Sequence, residues 1–247
     1  MGRFNSKFSV IIPTLQRSDI LPQVVNLCDS HPLVGEVIII NNEQKPLEFD
    51  SPTVRVVNLE QNIFVNPAWN MGVSLARHDL IALINDDVLF DPCSFDLAES
   101  ALNQNFFGII GPDKTCFFNP IGSPRIRIAR FSPASSMFGT FMCMRRENYE
   151  KIPDDIKIWG GDDFLILSQA KPPGVLVGVK FETEMSTTSG SEEFQALRLE
   201  EYEAAHRVLS TVMGKRWWHK PFEIYNLKIR PHQDSIINLI KNFKNKI

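Results

Sequence analysis

The run Leu80-Ile81-Ala82-Leu83-Ile84-Asn85-Asp86-Asp87-Val88-Leu89-Phe90 decides how the rest of this chain is read. Four of its first five residues are large and apolar, enough for a strand buried on both faces of a parallel sheet. Three side chains with oxygen acceptors follow where that strand should end, and open α/β sheets bind ligands beyond the carboxyl ends of their strands. Asn85 and Asp87 are two apart, so in extended geometry they point the same way. Two oxygen donors on one face suit a hard cation such as Mg²⁺ or Mn²⁺, which can in turn hold a phosphate. An isolated Asn-Asp-Asp is more often a polar turn before a helix, so the neighbouring elements must decide.

Upstream, residues 8–12, 36–40 and 54–57 read as short buried strands. They end in Pro13-Thr14, Asn41-Asn42 and Asn58. Apolar spacing at Ile20, Val24, Val25, Leu27 and Cys28 predicts a helix over 19–30, and Pro67 is placed to open a second over 67–76. Alternating strands and helices within ninety residues indicate a parallel α/β sheet. Downstream, 91–105 reads as a helix capped by Asp91 with Pro92 at its first position. Residues 107–110, 137–144 and 175–179 read as strands, 145–151 as a short helix and 111–133 as irregular. The segment Ile158-Trp159-Gly160-Gly161-Asp162-Asp163-Phe164 precedes an apolar helix over 164–170. Residues 191–213 form a long helix, and 234–247 are amphipathic.

The chain has 247 residues, 43% hydrophobic and 22% charged, ordinary values for a globular protein with a substantial core. No apolar run approaches the ~20 residues of a membrane span. The opening MGRFNSKF has no signal-peptide apolar region, although it matches the short and commonplace M-G-x-x-x-S myristoylation pattern. Cys28, Cys93, Cys116 and Cys143 are scattered, which suits a reducing compartment and argues against structural zinc. A cytoplasmic location is therefore expected.

The net charge of −3 hides a segregation. Residues 114–146 hold 6 basic side chains and no acid, and 214–247 hold 8 against 2, while the blocks between are acidic. Either the surface charge is simply uneven, or Arg125, Arg127, Arg130, Arg145 and Arg146 face an anionic ligand.

Taken in order, five pieces resemble the family 2 glycosyltransferases of GT-A fold. They are Val10 to Thr14, Glu36 to Asn42, Asn62 through Asn70-x-Gly72, Leu83 to Asp87, and Trp159-Gly160-Gly161-Asp162-Asp163. The match spans roughly residues 8–170. It implies a Rossmann-like, mostly parallel sheet flanked by helices, with a helical C-terminal extension. It also implies an enzyme that takes its sugar from a nucleotide-sugar donor, with Mn²⁺ or Mg²⁺, and transfers it with inversion. Carried over residue by residue, Pro13, Thr14 and Arg17 line the nucleoside and diphosphate pocket. Asn41 stands where relatives often have a base-reading Asp, and its amide can still meet a uracil edge. Asn62 and Asn70 match the donor-side loop and helix. Asn85, Asp86 and Asp87 replace the D-x-D motif, with Asp87 and Asn85 as metal ligands. The neutral Asn85 weakens the attraction for a cation. The late His of many relatives is also missing, since 186–190 read STTSG, and His206 reads as a surface residue.

The resemblance assigns Trp159, Gly160 and Gly161 to the acceptor, Asp162 to orienting it, and Asp163 to taking its proton. A hydroxyl is a poor nucleophile until that proton leaves. Helix capping is compatible with the same role. The expected protein is an inverting glycosyltransferase, a UDP-sugar favoured, acting on a glycan or other hydroxyl acceptor. Residues 1–213 are the enzyme domain and 214–247 a basic extension, which docks on the body or on an anionic partner, nucleic acid or membrane surface. Two alternatives stand beside this reading: a transferase acting on modified nucleic acid, and an inactive nucleotide-sugar-binding module. A nucleotidyltransferase fits less well, because residues 12–17 have neither a Gly-rich loop nor a Lys.

Overall fold

The computed structural model describes residues 7–129, 137–183 and 195–224. Four short apolar segments, β1 (Phe8–Thr14), β2 (Val34–Asn41), β3 (Val54–Asn58) and β4 (Leu80–Ile84), form one side of an eight-stranded sheet. Their order is β3-β2-β1-β4 and all pairs are parallel. Helices α1 (Leu21–Asp29) and α2 (Val65–Leu75) supply the crossovers that parallel pairing requires.

The strictly parallel sheet expected from the first ninety residues ends at β4. The next neighbour is β8 (Phe141–Arg145), antiparallel to β4 and to β6 (Ile109–Pro112). Then follow β9 (Gly174–Val177), parallel to β6, and the edge strand β7 (Arg125–Ile128), antiparallel to β9. Residues 125–128, expected to be irregular, are thus a strand. Residues 138–140 are a 3₁₀ turn before β8, not part of a longer strand. The helix expected over 145–151 is one 3₁₀ turn at 146–148.

Val88–Phe90 forms its own strand, β5, paired antiparallel with β10 (Phe181–Thr183) outside the main sheet. Phe90 stacks on Phe181 with centroids 5.6 Å apart, so the segment leaving Asp87 is pinned by a strand from late in the chain. Helix α3 (Cys93–Asn103) has no side-chain cap. Asp91 was expected to supply one. Its carboxylate instead accepts from the Lys180 amide at 2.7 Å, tying the same two regions.

Alternation along β1 divides the core. Phe8, Val10 and Ile12 face α1 and α3, while Ile11 faces the cluster built with α2, α5 (Gly161–Ser168) and α6 (Gln195–Val212). Within 214–224, the start of the basic extension, Trp218 is held against the body. Trp218 is 1% exposed, and its indole donates to Gln169 O at 2.9 Å, just ahead of α7 (His219–Ile224). Residues 234–247 and 186–190 lie outside the described residues. No described helix is long and apolar enough to cross a membrane.

Candidate active site

Because β1, β2 and β3 are parallel and in register, their ends fall on one line: Thr14 pairs with Asn41, and Asn41 with Asn58. Polar side chains thus gather where apolar strands stop. Pro13 and Thr14 are buried at the end of β1, and Arg17 is exposed on the loop beyond. Thr14 Oγ1 donates to Asp86 Oδ2 at 2.5 Å and accepts from the Gln16 amide at 2.8 Å. Burial pushes the Asp86 carboxyl up to about 6; the Thr14 hydroxyl opposes this and the Asp87 charge adds to it. Asp87 is 8% exposed and Asn85 half-buried.

Asn41 is occupied by its own chain. Its amide nitrogen donates to Lys45 O (2.9 Å) and Asn58 Oδ1 (2.7 Å). Its oxygen accepts from Gln16 Nε2 and the Glu43 amide, both at 3.1 Å. As placed, both N–H groups and both lone pairs are used, which leaves none for the uracil edge expected from the sequence. Asn70 likewise turns to its own chain. Its oxygen accepts from Tyr149 Oη (2.8 Å) and the Ile152 amide (2.9 Å), and its nitrogen donates to Ile152 O (2.9 Å). It ties the 149–152 loop to α2.

Asn62 sits in the turn before α2, where its Oδ1 accepts from the Phe64 amide at 2.8 Å. Phe64 there has φ 67° and ψ 176°, a region almost reserved for glycine, and Lys157 Nζ lies 5.3 Å from its ring centroid. A strained residue is held where the donor-side loop meets the segment before Trp159.

The two acidic motifs meet through the turn preceding β8. Since β8 runs antiparallel to β4, Phe141 sits opposite Ile84 and residues 138–140 fall at the carboxyl edge of the sheet. The Asn85 amide donates to Thr140 O at 3.0 Å. On the other side, the Gly139 amide faces the Asp162 carboxylate, and a Cβ on Gly139 would come within 3.1 Å of Asp162 Oδ2. Asp162 and Asp163 occupy the first turn of α5, which starts three residues earlier than the sequence suggested. Neither caps it by side chain. The cap position is Gly160, with φ 78° that glycine adopts freely, and Gly161 packs so tightly that a Cβ would meet Asn66 Oδ1 at 2.1 Å.

Burial raises Asp162 above its ordinary value, while the Asp163, Asp162 and Gly139 amides oppose the shift. Asp163 is raised to about 7, by burial first and by the neighbouring Asp162 charge second. A carboxyl poised near neutrality can accept a proton and release it again. Trp159 is half-buried beside the pair.

Four residues of this site were not found from sequence. Gly139 alone had a signal, an isolated glycine inside an apolar strand pattern. Gln16, Asn66 and Thr140 had none.

The arginines do not converge here. Arg145 pairs with Leu80 at the opposite end of β4, donating to Leu102 O, and Arg146 donates to Ala76 O. Arg127 pairs with Asp113 and Arg125 bonds Ser123 O. Arg130 lies outside the described residues. Exposed His206 rests edge-on against Tyr202.

Among the described residues no three His, Cys, Asp or Glu side chains could hold a metal together. The chain's own donors at the strand end are the Asp87 carboxylate and the Asn85 amide oxygen. That pair fits a hard cation taking one or two protein oxygens and the rest from phosphate and water.

A mixed α/β sheet flanked by helices, with polar strand ends and an Asn-Asp-Asp turn linked through residues 139–140 to two half-buried aspartates at a helix start, is the architecture of the GT-A glycosyltransferases. The chain belongs to glycosyl transferase family 2, whose family model matches residues 9–153. Similar solved structures include GalNAc-T7 with UDP, GalNAc and Mn²⁺ (14% identity, TM-score 0.62, covering 98% of this chain and 55% of that one). Another is the Pyrobaculum calidifontis mannosyltransferase PcManGT with GDP-Man and Mn²⁺ (13%, 0.61, covering 93% and 72%). A third is S. aureus TarS 1-349 (15%, 0.52, covering 90% and 75%). At such identities the likeness is one of fold. No curated protein matches the chain by sequence.

Proposed function

We propose that this glycosyltransferase moves a sugar from a nucleotide-sugar donor, a UDP-sugar favoured, to an acceptor hydroxyl with inversion, Asp163 acting as general base. One observation carries the reading: the Gly139–Thr140 turn brings the Asp162–Asp163 pair against the Asn85–Asp87 strand end. Donor and acceptor would then meet with the base on the acceptor side. Asp163 takes the acceptor proton as the hydroxyl attacks the anomeric carbon and the nucleoside diphosphate departs. Asp162, held by the Gly139 amide, orients the acceptor beside Trp159. Asp87 and Asn85 would hold Mn²⁺ or Mg²⁺, which supplies charge neutralisation for the departing diphosphate. The Asn41 network shapes the base pocket, and Thr14 and Asp86 form its floor. Two neighbours crystallised with Mn²⁺, one with UDP and one with GDP-Man, support a nucleotide-sugar donor and this ion.

An inactive binding module is the second reading, favoured by the neutral Asn85. A nucleic-acid acceptor loses support from Arg145 and Arg146, whose hydrogen bonds lie at the far end of β4. Incubation with UDP- and GDP-sugars and Mn²⁺, following nucleoside diphosphate release, tests the proposal. Metal-dependent release is expected. Tight nucleotide binding without release would favour the module, and neither binding nor release would refute both.

A further inference from the structure

Glu201 lies on α6, past the end of the family match at residue 153, and is 3% exposed. Its carboxylate accepts three consecutive backbone amides. Lys157 N donates to Oε1 at 2.9 Å, and Ile158 N and Trp159 N donate to Oε2 at 3.0 and 3.1 Å. Three part-buried N–H groups on one carboxylate form a charge-assisted cradle. The loop they belong to ends at Gly160, whose added Cβ would sit 3.2 Å from Ala205 Cβ, one helical turn beyond Glu201. The opposite side of the same loop is held by α2: Asn66 N donates to Lys157 O at 2.9 Å, and Asn66 Nδ2 to Ile156 O at 3.2 Å.

This loop leads directly into the first turn of α5, which carries Asp162 and Asp163. Gly160, which follows the three amides, has a left-handed conformation that glycine adopts without strain, so it can change its turn when those amides are released. Three bonds for which the unfolded chain would use water are a large investment of order in one segment. Their position immediately before Trp159 places them where a shift of about 1 Å can cost about 10²-fold in rate.

We propose that Glu201 is a positioning residue for transfer: it locks residues 157–159 so that Trp159 and the Asp162–Asp163 pair meet the acceptor in a single arrangement. The proposal rests on the reading of Asp163 as the base. Donor binding does not depend on Glu201, because Thr14, Asp86 and Asp87 are built from other elements.

The test uses the full chain and two variants, Glu201→Gln and Glu201→Ala. Glu201→Gln keeps an oxygen for two of the amides and turns an NH₂ group toward the third; Glu201→Ala removes all three bonds. Amide hydrogen exchange over residues 157–159 should accelerate about tenfold or more in Glu201→Gln and further in Glu201→Ala. The Asp163 titration, followed through its carboxyl carbon, should fall from about 7 toward the ordinary aspartate range as water reaches the loop. Calorimetric affinity for UDP with Mn²⁺ should stay within about threefold, and kcat for a nucleotide sugar should drop roughly 10- to 100-fold with little change in donor KM. If Glu201 only stabilised the fold, its replacement would lower Tm and leave the Asp163 midpoint in place. Unchanged exchange at 157–159, or an unchanged Asp163 midpoint in folded Glu201→Gln, overturns the proposal. If the wild-type protein consumed no nucleotide sugar, the functional reading would fail, while exchange and titration would still decide the role of Glu201.

Discussion

Gly139 and Asp162 touch across the site, close enough that a methyl group on Gly139 would stand 3.1 Å from Asp162 Oδ2. No strained backbone accompanies the glycine, so its role is one of space. Gly139→Ala should therefore fold normally yet push the Asp162 carboxylate aside. Transfer is expected to fall roughly tenfold or more, with UDP affinity unchanged. Steady-state kinetics with calorimetry checks this; equal loss of binding and turnover would place Gly139 in the donor pocket instead.

Replacement of the proposed base separates chemistry from binding. Asp163→Asn keeps the size of the side chain and removes its ability to take a proton. Transfer should drop by roughly 10²–10⁴-fold, the range general-base catalysis supplies. Asp162→Asn should mainly raise the acceptor KM. The reverse pattern between the two variants would exchange their roles. In the wild type, rate should climb with pH through about 7 as Asp163 ionises.

The same raised carboxyl makes a stability prediction. A folded pKa of about 7 against an ordinary 3.8 favours folding at low pH, an advantage lost as pH rises through 7. Asp163→Asn escapes that loss. It should be more stable than wild type at pH 8 by about 1–2 kcal/mol, discounted for partial exposure from about 1.4 kcal/mol per pKa unit, and equal to it near pH 4. Thermal unfolding at the two pH values measures the difference. A variant less stable at pH 8 than at pH 4, relative to wild type, contradicts the assignment.

At the donor end, Thr14→Val removes the hydroxyl that Asp86 accepts from. The buried carboxylate loses its partner, at a cost of roughly 1–3 kcal/mol. The cost should be greater at pH 8, where Asp86 is charged, than at pH 5, where it is largely protonated. Denaturant titrations of the variant at both pH values test the sign. Asp87→Ala, by contrast, should leave stability alone and abolish Mn²⁺-dependent UDP binding by calorimetry.

The packing of Trp218 allows a cut to be placed with intent. Removal of everything after Met213 discards Trp217 and Trp218, whose indoles donate to Ala170 O and Gln169 O at the end of α5. Loss of one buried tryptophan costs about 3–5 kcal/mol, so that truncation should melt well below the parent. A cut after Ile224 keeps both tryptophans and should melt above the shorter truncation. Equal melting of the two would show that α7 adds nothing to the body.

The strands β1 to β4 and the positions of the polar strand ends were legible because each is a short apolar run, and β1, β2 and β4 are buried on both faces. What the sequence could not reveal depends on direction and on distant partners. The basic block of 114–146 looked like one patch, but antiparallel β8 carries Arg145 to the far end of β4. The strand Arg125–Ile128 was hidden because its side chains are half-exposed at a sheet edge within a Gly- and Pro-rich stretch. Asn41 looked able to read a base, since nothing local announces that Gln16, Lys45 and Asn58 will use its amide. Glu201 sits in a helix full of charges, and only the folded chain singles it out.

The polar cluster of Thr14, Gln16, Asn41, Asn58 and Asp86 is assembled from the first 86 residues, whereas the loop before Asp162 is held by Asn66 on one side and, on the other, by a side chain 44 residues after Lys157. As the chain leaves the ribosome, therefore, these strand ends can come together well before the acid pair has its cradle. On the reading proposed above, a nascent protein would pass through a stage with its donor side formed and its acceptor side still loose, until α6 arrives to complete it.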